Sequence, residues 1–282
     1  MIQVKNVSFS YGAKPFIEHI NFNVDKGEIF GFLGPSGAGK STLQKILTGL
    51  LPTYLGNVIV NSIEVKKHDN SYYENIGVDF EFPSLYERLT AVENLRFFGS
   101  LYSKPLISVD ELLNMVGLLQ DGDKKVSEFS KGMKSRLNFI KALIHRPDVI
   151  FLDEPTSGLD PSNARRMKDI ILDLKSQGKT IIITTHNMHD ASELCDKVAF
   201  IIDGKIKALD SPRKLMMSKK GTRIVYNYME NGILQERETL SSETCKDDMI
   251  KKLLDENRIV SIHSKEPTLE DVFIELTGRN LQ

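Results

Sequence analysis

The chain has 282 residues, which is long for a single domain and sufficient to bury a hydrophobic core. Hydrophobic residues make up 40% and charged residues 27% of the chain, as in an ordinary soluble globular protein. The 37 Lys and Arg residues against 38 Asp and Glu residues give a net charge of -1, which excludes nucleic-acid binding driven by bulk positive charge.

The first predicted elements are antiparallel strands. Apolar and polar residues alternate over residues 1–24, as expected of strands with one solvated face. This N-terminus lacks the basic and then apolar order of a signal peptide, and no apolar run reaches the roughly 20 residues that a membrane-spanning helix needs. The two cysteines, Cys195 and Cys245, share no metal or redox spacing, which predicts reduced thiols. We therefore expect a cytosolic protein that reaches a membrane only through a partner.

A glycine-rich turn follows the next predicted strand, EIFGFL. The turn matches the P-loop pattern G-x-x-x-x-G-K-[ST] and leads into a helix, which is the context that this pattern requires. Its residues are Gly34, Pro35, Ser36, Gly37, Ala38, Gly39, Lys40, Ser41 and Thr42. The glycines allow backbone N–H groups to turn inward around a polyphosphate, and the helix N-terminus adds a favourable dipole. We expect Lys40 to reach the β- and γ-phosphates and the Ser41 hydroxyl to bind Mg²⁺.

The middle of the chain, roughly residues 84–146, has several helical patterns and no convincing strand. Thr90 stands three residues before Glu93, which is the spacing of a capping box at the start of a helix. We therefore predict a helical subdomain inserted into an α/β core.

Two later strands end in polar residues. VIFLDEP and TIIITTH are short apolar runs without alternation, typical of strands buried on both faces of a parallel sheet. Asp153 ends the first strand and is expected to hold Mg²⁺, and Glu154 is expected to polarise the attacking water as a general base. His186 ends the second strand and is predicted to lie beside the γ-phosphate. A metal cluster of His186 with His189 and the acids that follow is disfavoured, because the two histidines need not point the same way.

No catalytic signature follows about Pro212. Asn231-Gly232 between two alternating runs predicts a β-hairpin, and a helix, a strand and a final helix are predicted after it. We predict two domains, a main domain over 1–212 and an accessory domain over 213–282 with a regulatory or assembly role. The predicted fold class is α/β: a P-loop NTPase core with a mixed sheet, an antiparallel β subdomain, the inserted helices and a small C-terminal α/β domain.

These motifs together resemble the ATP-binding subunit of an ABC transporter. The P-loop is similar to the family's Walker A motif, and Val149–Glu154 are similar to Walker B with its catalytic glutamate. His186 matches the H-switch, and Asp160 lies in a segment that matches the D-loop. Tyr11 matches the A-loop aromatic residue that stacks on adenine in this family.

The segment FSKGM occupies the place of the family's signature motif, which normally reads LSGGQ. Lys131 replaces a glycine and Met133 replaces a glutamine. Ser130 and the Gly132 backbone, at a helix N-terminus, are still expected to bind the γ-phosphate of an ATP that a second subunit holds. The form SKGM and the tail Glu266–Arg279 resemble the ABC-2 type exporters of drugs and antibiotics.

Glu81 occupies the place of the Q-loop glutamine, whose amide oxygen contacts Mg²⁺ and the attacking water in this family. A glutamate keeps an oxygen and adds a negative charge, which could tighten Mg²⁺ binding or slow closure on ATP. The alternative is a solvated loop acid. The nearby Phe82, Pro83, Leu85 and Tyr86 are expected to be exposed and to form the lip of a groove for the membrane subunit.

The resemblance implies an ATPase that uses ATP and Mg²⁺ and powers transport through closure of a head-to-tail dimer. The second ATP-binding subunit is either another copy of this chain or a sibling. The resemblance also implies separately encoded membrane-spanning permease subunits, no nucleic-acid partner, and a place on the cytoplasmic membrane face through the permease. Export of drugs or antibiotics is the expected direction and cargo.

Other P-loop proteins are the alternatives. The translation branch of the ABC superfamily usually has two cassettes in one chain, and the DNA-repair branch needs a long heptad insertion. A kinase or GTPase would leave the signature segment unexplained, and no guanine-reading N-K-x-D occurs. A non-hydrolysing ATP sensor is disfavoured by the retained Lys40, Asp153, Glu154 and His186, although Glu81 keeps that alternative open.

Overall fold

The structure is a computed structural model, and it describes residues 1–218, 223–244 and 247–278. The chain divides into two compact units, Met1–Ser211 and a second unit that begins at Pro212. The predicted thiol of Cys245 and the last tail residue, Arg279, lie outside the described residues.

The elements of the first unit alternate between strands and helices. In chain order they are β1 (Ile2–Phe9), β2 (Ile17–Val24), β3 (Ile29–Leu33), α1 (Lys40–Leu47), β4 (Leu55–Val60), β5 (Ile63–Glu64), α2 (Asn70–Tyr73), β6 (Ile76–Asp79), α3 (Ala91–Gly99), α4 (Val109–Met115), α5 (Lys131–Lys141), β7 (Val149–Asp153), α6 (Pro161–Ser176), β8 (Thr180–Thr185), α7 (Met188–Leu194), β9 (Lys197–Ile202) and β10 (Lys205–Asp210).

A six-stranded sheet forms the centre of this unit, with the strand order β10-β9-β3-β8-β7-β6. The strands β9, β3, β8, β7 and β6 run parallel to one another, and the edge strand β10 pairs antiparallel with β9, so the sheet is mixed. Every residue of β3, β7 and β8 is buried, which explains why these strands are apolar without alternation. Their carboxyl ends meet at one edge, where open α/β sheets gather ligands.

A second sheet of the first unit contains the N-terminal strands, in the order β2-β1-β4-β5. All its pairings are antiparallel, as the alternation over residues 1–24 predicts. Phe22 of β2 stacks on Phe30 of β3, with 5.1 Å between the ring centroids, so the two sheets share one hydrophobic core. The predicted α/β fold class is confirmed.

The helices α3, α4 and α5 lie within residues 84–146, all of which the structure describes and none of which is in a strand. The predicted capping box at α3 is confirmed, because Glu93 N donates to Thr90 Oγ1 and Thr90 N donates to the Glu93 carboxylate. This box fixes the point at which the chain leaves the preceding loop and becomes helical.

Three side chains of α5 and the turn after it bind backbone carbonyls of the segment 76–84. Asn138 Nδ2 lies 3.2 Å from Phe80 O, and Lys141 Nζ lies 3.0 Å from Ser84 O. His145 Nε2 lies 2.8 Å from Ile76 O, and its ring stacks on Tyr102. These contacts attach α5, the helix that follows Ser130, to the segment that contains Glu81.

The second unit is a small α/β structure. Its described elements are α8 (Pro212–Ser218), β11 (Arg223–Glu230), β12 (Ile233–Leu240), α9 (Asp248–Asp255), β13 (Ile259–Lys265) and α10 (Leu269–Thr277), and its sheet has the order β12-β11-β13. The predicted hairpin is confirmed: Glu230 pairs with Ile233 around Asn231 and Gly232, whose φ angles are 49° and 78°. Within the described ranges, the helices are all too short or too polar to cross a bilayer.

Candidate functional site

The P-loop joins β3 to α1 and has no room for larger residues at two of its glycines. Gly34 has a φ of 150°, and a Cβ there would lie 2.1 Å from Ile201 O on β9. Gly39 has a φ of 110°, and a Cβ there would lie 2.5 Å from Ile17 Cδ1. The loop therefore packs closely on β9 and β2 at these two glycines.

Lys40 is held inside the cradle by the loop itself. Its side chain is largely buried, and Nζ donates to Gly34 O at 2.7 Å and to Pro35 O at 3.0 Å. Burial lowers the pKa of Lys40, whereas the nearby carboxylates of Glu154, Asp153 and Glu81 act in the opposite direction. The ammonium group therefore lies between the phosphate cradle and a set of acids.

A cavity of about 270 Å³ brings together most of the residues predicted to bind or hydrolyse ATP. Its lining comes from the P-loop, from the segment after β6 and from the ends of β7 and β8. The lining residues are Phe16, Ser36, Gly37, Gly39, Lys40, Ser41, Thr42, Glu81, Asp153, Glu154 and His186. Tyr11, the signature segment and Asp160 are not among them.

Asp153 lies at the end of β7 and is almost fully buried. Its Oδ1 accepts a hydrogen bond from Thr184 Oγ1 on the neighbouring strand β8, where the two residues are register partners. The carboxylate of Asp153 and the hydroxyl of Ser41 line the same cavity, and both are oxygen ligands of the kind that Mg²⁺ prefers. This donor set and the backbone cradle fit a nucleotide bound with Mg²⁺.

Glu154 has an unusual backbone and a fully engaged carboxylate. Its φ of 52° lies in the left-handed region, which costs a non-glycine residue on the order of 1–3 kcal/mol. Oε1 accepts from His186 N at 3.0 Å and lies 2.7 Å from His186 Nδ1. Oε2 accepts from Thr185 Oγ1 at 3.0 Å. These contacts hold the carboxylate at the cavity wall and help to offset the backbone strain.

Two aromatic residues stand near the P-loop at the side of β2. Tyr11 is 62% exposed, its hydroxyl lies 3.0 Å from Thr42 Oγ1, and its ring packs edge-on against Phe9 and Phe16. Phe16, which the sequence reasoning missed, lines the cavity directly. The one available signal was an aromatic residue five positions after Tyr11 at the start of a strand.

The signature residues lie at the N-terminus of α5, outside the cavity. Ser130 is the N-cap and accepts a hydrogen bond from Met133 N at 3.2 Å, and Lys131 and Gly132 begin the helix. Ser130 and Lys131 are exposed. Asp160 is the N-cap of α6, where hydrogen bonds from Asn163 lower the pKa of its carboxyl group.

The segment after β6 combines an exposed acid with exposed aromatic rings. Glu81 is exposed, as are Phe82 and Tyr86 at 78% and 50%. Pro83 is exposed as expected, whereas Leu85, which was also expected to be exposed, is only half-exposed. The reason lies in α3: Asn94 makes hydrogen bonds with both the N–H and the carbonyl of Tyr86 and so draws this part of the segment toward the helix.

Asp79, at the end of β6, is a buried carboxyl group that the sequence reasoning did not single out. It accepts a hydrogen bond from Asn138 Nδ2 on α5. Burial raises the pKa of Asp79 to about 7, although the nearby Lys141 ammonium and the Asn138 hydrogen bond act to lower it. A buried carboxyl group whose pKa is raised to about 7 therefore lies two residues before Glu81 and outside the cavity lining.

The acids that follow His186 form an ion-pair cluster that leaves His186 out. Ligand atoms of His189, Asp190 and Glu193 all lie within 4.8 Å of one another. Lys168 Nζ binds Glu193 and lies 3.3 Å from Asp190 Oδ1, and Arg165 Nη1 lies 2.8 Å from Glu193 Oε1, so two cations already pair with these two acids. His186 points instead to Glu154.

A family model and two relatives identify the kind of protein to which this chain is similar. A family model described as ABC transporter matches residues 17–157. The chain is 48% identical to a fluoroquinolones export ATP-binding protein of Mycobacterium tuberculosis, over 100% of this chain and 94% of that protein. It is 32% identical to the linearmycin resistance ATP-binding protein of Bacillus subtilis, over the full length of both.

A solved structure extends the comparison to three dimensions. It is a dimeric ATP-binding cassette in a post-hydrolysis state, bound to ADP and Pi. The TM-score is 0.68 at 26% sequence identity, and the match covers 75% of this chain and 98% of that one.

Proposed function

The chain belongs to the ABC transporter family, and on that premise we propose that it is the ATP-hydrolysing subunit of an exporter of antibiotics or similar drugs. The predicted family resemblance and the predicted ATPase activity are confirmed by this membership. Two relatives that match the whole chain are named for fluoroquinolone export and for linearmycin resistance, which supports an antibiotic-like cargo. Such names also favour transport over the translation and DNA-repair alternatives.

The observation that carries the proposed chemistry is the convergence of the P-loop, Asp153, Glu154 and His186 on one cavity. The P-loop backbone and Lys40 would bind the phosphates, and Ser41, Asp153 and Glu81 would hold Mg²⁺. When bound, Mg²⁺ neutralises charge on the phosphate oxygens that react. His186 lies beside the position of the γ-phosphate.

Glu154 acts as the general base in this proposal. Its carboxylate is held by three donors, which leaves it oriented toward the cavity and able to take a proton from the attacking water. A held carboxylate needs no reorientation when water arrives, and this lowers the barrier.

A second ATP-binding subunit completes the site. Ser130 and the Gly132 backbone form an exposed helix N-terminus that lies outside this chain's own cavity and suits the γ-phosphate of an ATP on another subunit. The solved relative described above is dimeric. The second subunit is either a copy of this chain or a sibling ATP-binding subunit. In each site, the rings of Tyr11 and Phe16 contact the adenine of the bound ATP.

The permease binds at the surface beside Glu81. Phe82 and Tyr86 are exposed there, and Tyr86 packs with Phe97 and Phe98 into an apolar surface that fits a helix from a membrane subunit. This contact would place the chain on the cytoplasmic face of the membrane.

The test replaces the base. In Glu154→Gln, ATP hydrolysis should fall by about 10²- to 10⁴-fold because general-base assistance is lost, whereas ATP binding persists. When the chain is expressed with a permease that supports efflux by the wild-type chain, antibiotic efflux from cells should stop in the same variant. Near-normal turnover in Glu154→Gln would refute the assignment of the base, and efflux that continues without hydrolysis would refute the exporter proposal.

A further inference from the structure

Each of the two threonines at the end of β8 donates a hydrogen bond to one of the two adjacent acids, Asp153 and Glu154. Thr184 Oγ1 donates to Asp153, and Thr185 Oγ1 donates to Glu154 Oε2 at 3.0 Å. Both threonines are almost fully buried, so their hydroxyl groups are shielded from water, which strengthens each hydrogen bond.

The Thr185 hydroxyl has its single proton directed at Glu154. Asn187 N donates to Thr185 Oγ1 at 3.0 Å and so occupies a lone pair of that oxygen. A hydroxyl group has one proton to donate, and the Glu154 carboxylate is the acceptor that the geometry provides. Asn187 in turn is the N-cap of α7 and accepts from His189 N and Asp190 N, which fixes its backbone. The donor is thus held at the junction of β8 and α7.

The other oxygen of Glu154, Oε1, accepts from the His186 ring, which is a more mobile donor in the proposed mechanism. The side chain of His186, which binds Oε1, is 59% exposed and is the group that the proposed function assigns to the γ-phosphate. When the His186 ring turns to phosphate, Oε1 loses that donor. Thr185 and the His186 backbone N–H then remain as the donors to the carboxylate.

We propose that Thr185 is a positioning residue for ATP hydrolysis, whose hydroxyl group holds the Glu154 carboxylate in the orientation that accepts a proton from the attacking water. The inference rests on the proposed role of Glu154 as base. Thr185 itself is placed outside the cavity lining and touches the reaction only through Glu154.

The test compares two hydroxyl deletions in the same strand. Thr185→Val keeps the shape and the β-branched character but removes the donor, and kcat should fall about 10- to 100-fold while the KM for ATP changes by less than about two-fold. Thr185→Ser keeps the hydroxyl and should restore kcat to within about three-fold of wild type. Thr180→Val, at the opposite end of β8, removes a buried hydroxyl that accepts from Gly27 N and controls for lost stability.

The pairing with Glu154 is tested by a double variant. Because Thr185 acts through Glu154, adding Thr185→Val to Glu154→Gln should leave the residual rate unchanged. A wild-type kcat in Thr185→Val, a Thr185→Ser variant as slow as Thr185→Val, or a further equal drop in the double variant would each overturn the inference. If Thr185→Val does not fold, Thr185→Ala replaces it with the same expectations. An unchanged rate in Glu154→Gln alone would instead refute the proposed base.

Discussion

Glu81 adds a third carboxylate to a cavity that already contains Asp153 and Glu154. All three act on Lys40, whose burial works against its positive charge. The site thus contains one buried ammonium group and three carboxylates, and a highly negative triphosphate must bind among them. Each acid therefore has a cost in repulsion that a bound cation offsets.

Replacing Glu81 with the glutamine that the family has at this position should change the binding of both ATP and Mg²⁺. In Glu81→Gln, we expect the KM for ATP to fall and the Mg²⁺ concentration for half-maximal activity to rise, each by roughly two- to ten-fold at low salt, with smaller changes at high salt. Steady-state ATPase assays with varied ATP and Mg²⁺ measure both. Glu87→Gln is the matched control, because Glu87 is an exposed acid of the same segment that pairs with Lys134. Identical kinetics in wild type and Glu81→Gln would show that the acid is idle.

The P-loop and the strand-end acids could be predicted because each motif is contiguous and its chemistry needs those residue types. Asp79 could not, since its partner Asn138 is 59 residues away and burial, which raises its pKa, is a property of the fold. Thr185 was likewise part of an apolar run, and only the pairing of β7 with β8 brings its hydroxyl to Glu154.

Among the elements, α5 links the signature residues at its N-terminus to the segment that contains Glu81. Its first residues follow Ser130 at the exposed N-terminus, and its later residues bind the segment 76–84 through Asn138 and Lys141. A helix of 11 residues is about 16 Å long, so α5 connects the exposed N-terminus to the segment 76–84 over that distance. The contact between Asp79 and Asn138 is the buried polar part of this attachment.

Asp79 makes the stability of this attachment depend on pH. Its pKa is about 7 in the folded protein against an ordinary 3.8, so between these pH values the folded state binds one more proton than the unfolded state. The free energy of unfolding therefore falls as pH rises from about 4 to about 7, by at most about 4 kcal/mol, and levels off above.

Asp79→Asn, which keeps an acceptor without the charge, should remove this fall. Urea unfolding at pH 5 and pH 8 should show the variant gaining stability relative to wild type at the higher pH, because other titrating groups cancel in the difference. Asp110→Asn exchanges an exposed carboxyl group on α4 as a control. A stability difference that is the same at both pH values would contradict the buried, protonated Asp79.

At the scale of the whole molecule, the chain has two units with separate cores. The first unit contains every residue assigned to ATP chemistry, and the second has its own core of Tyr226, Tyr228, Ile250 and Leu253. Each unit is compact by itself, so each can be expected to fold by itself. The regulatory or assembly role of the second unit stays a prediction.

Deleting the second unit should separate chemistry from assembly. A chain that ends at Ser211 should still bind and hydrolyse ATP, because the cavity lies wholly in the first unit. We expect less of it to co-purify with the permease, and transport should fall accordingly. Co-purification and efflux at wild-type levels would refute an assembly role, and a truncated chain that cannot bind ATP would refute the independence of the first unit.

Apart from the Asp79 carboxylate, the attachment of α5 and the turn after it to the segment 76–84 uses the backbone carbonyls of Ile76, Phe80 and Ser84 as acceptors. Every amino acid presents the same carbonyl, so substitution at these positions leaves the acceptors in place. If the membrane subunit binds at the proposed surface, the exposed side chains around Phe82 can change to fit a different subunit while the attachment to α5 is retained. The proposed contact with a membrane subunit and the attachment to α5 can therefore change independently within one short segment.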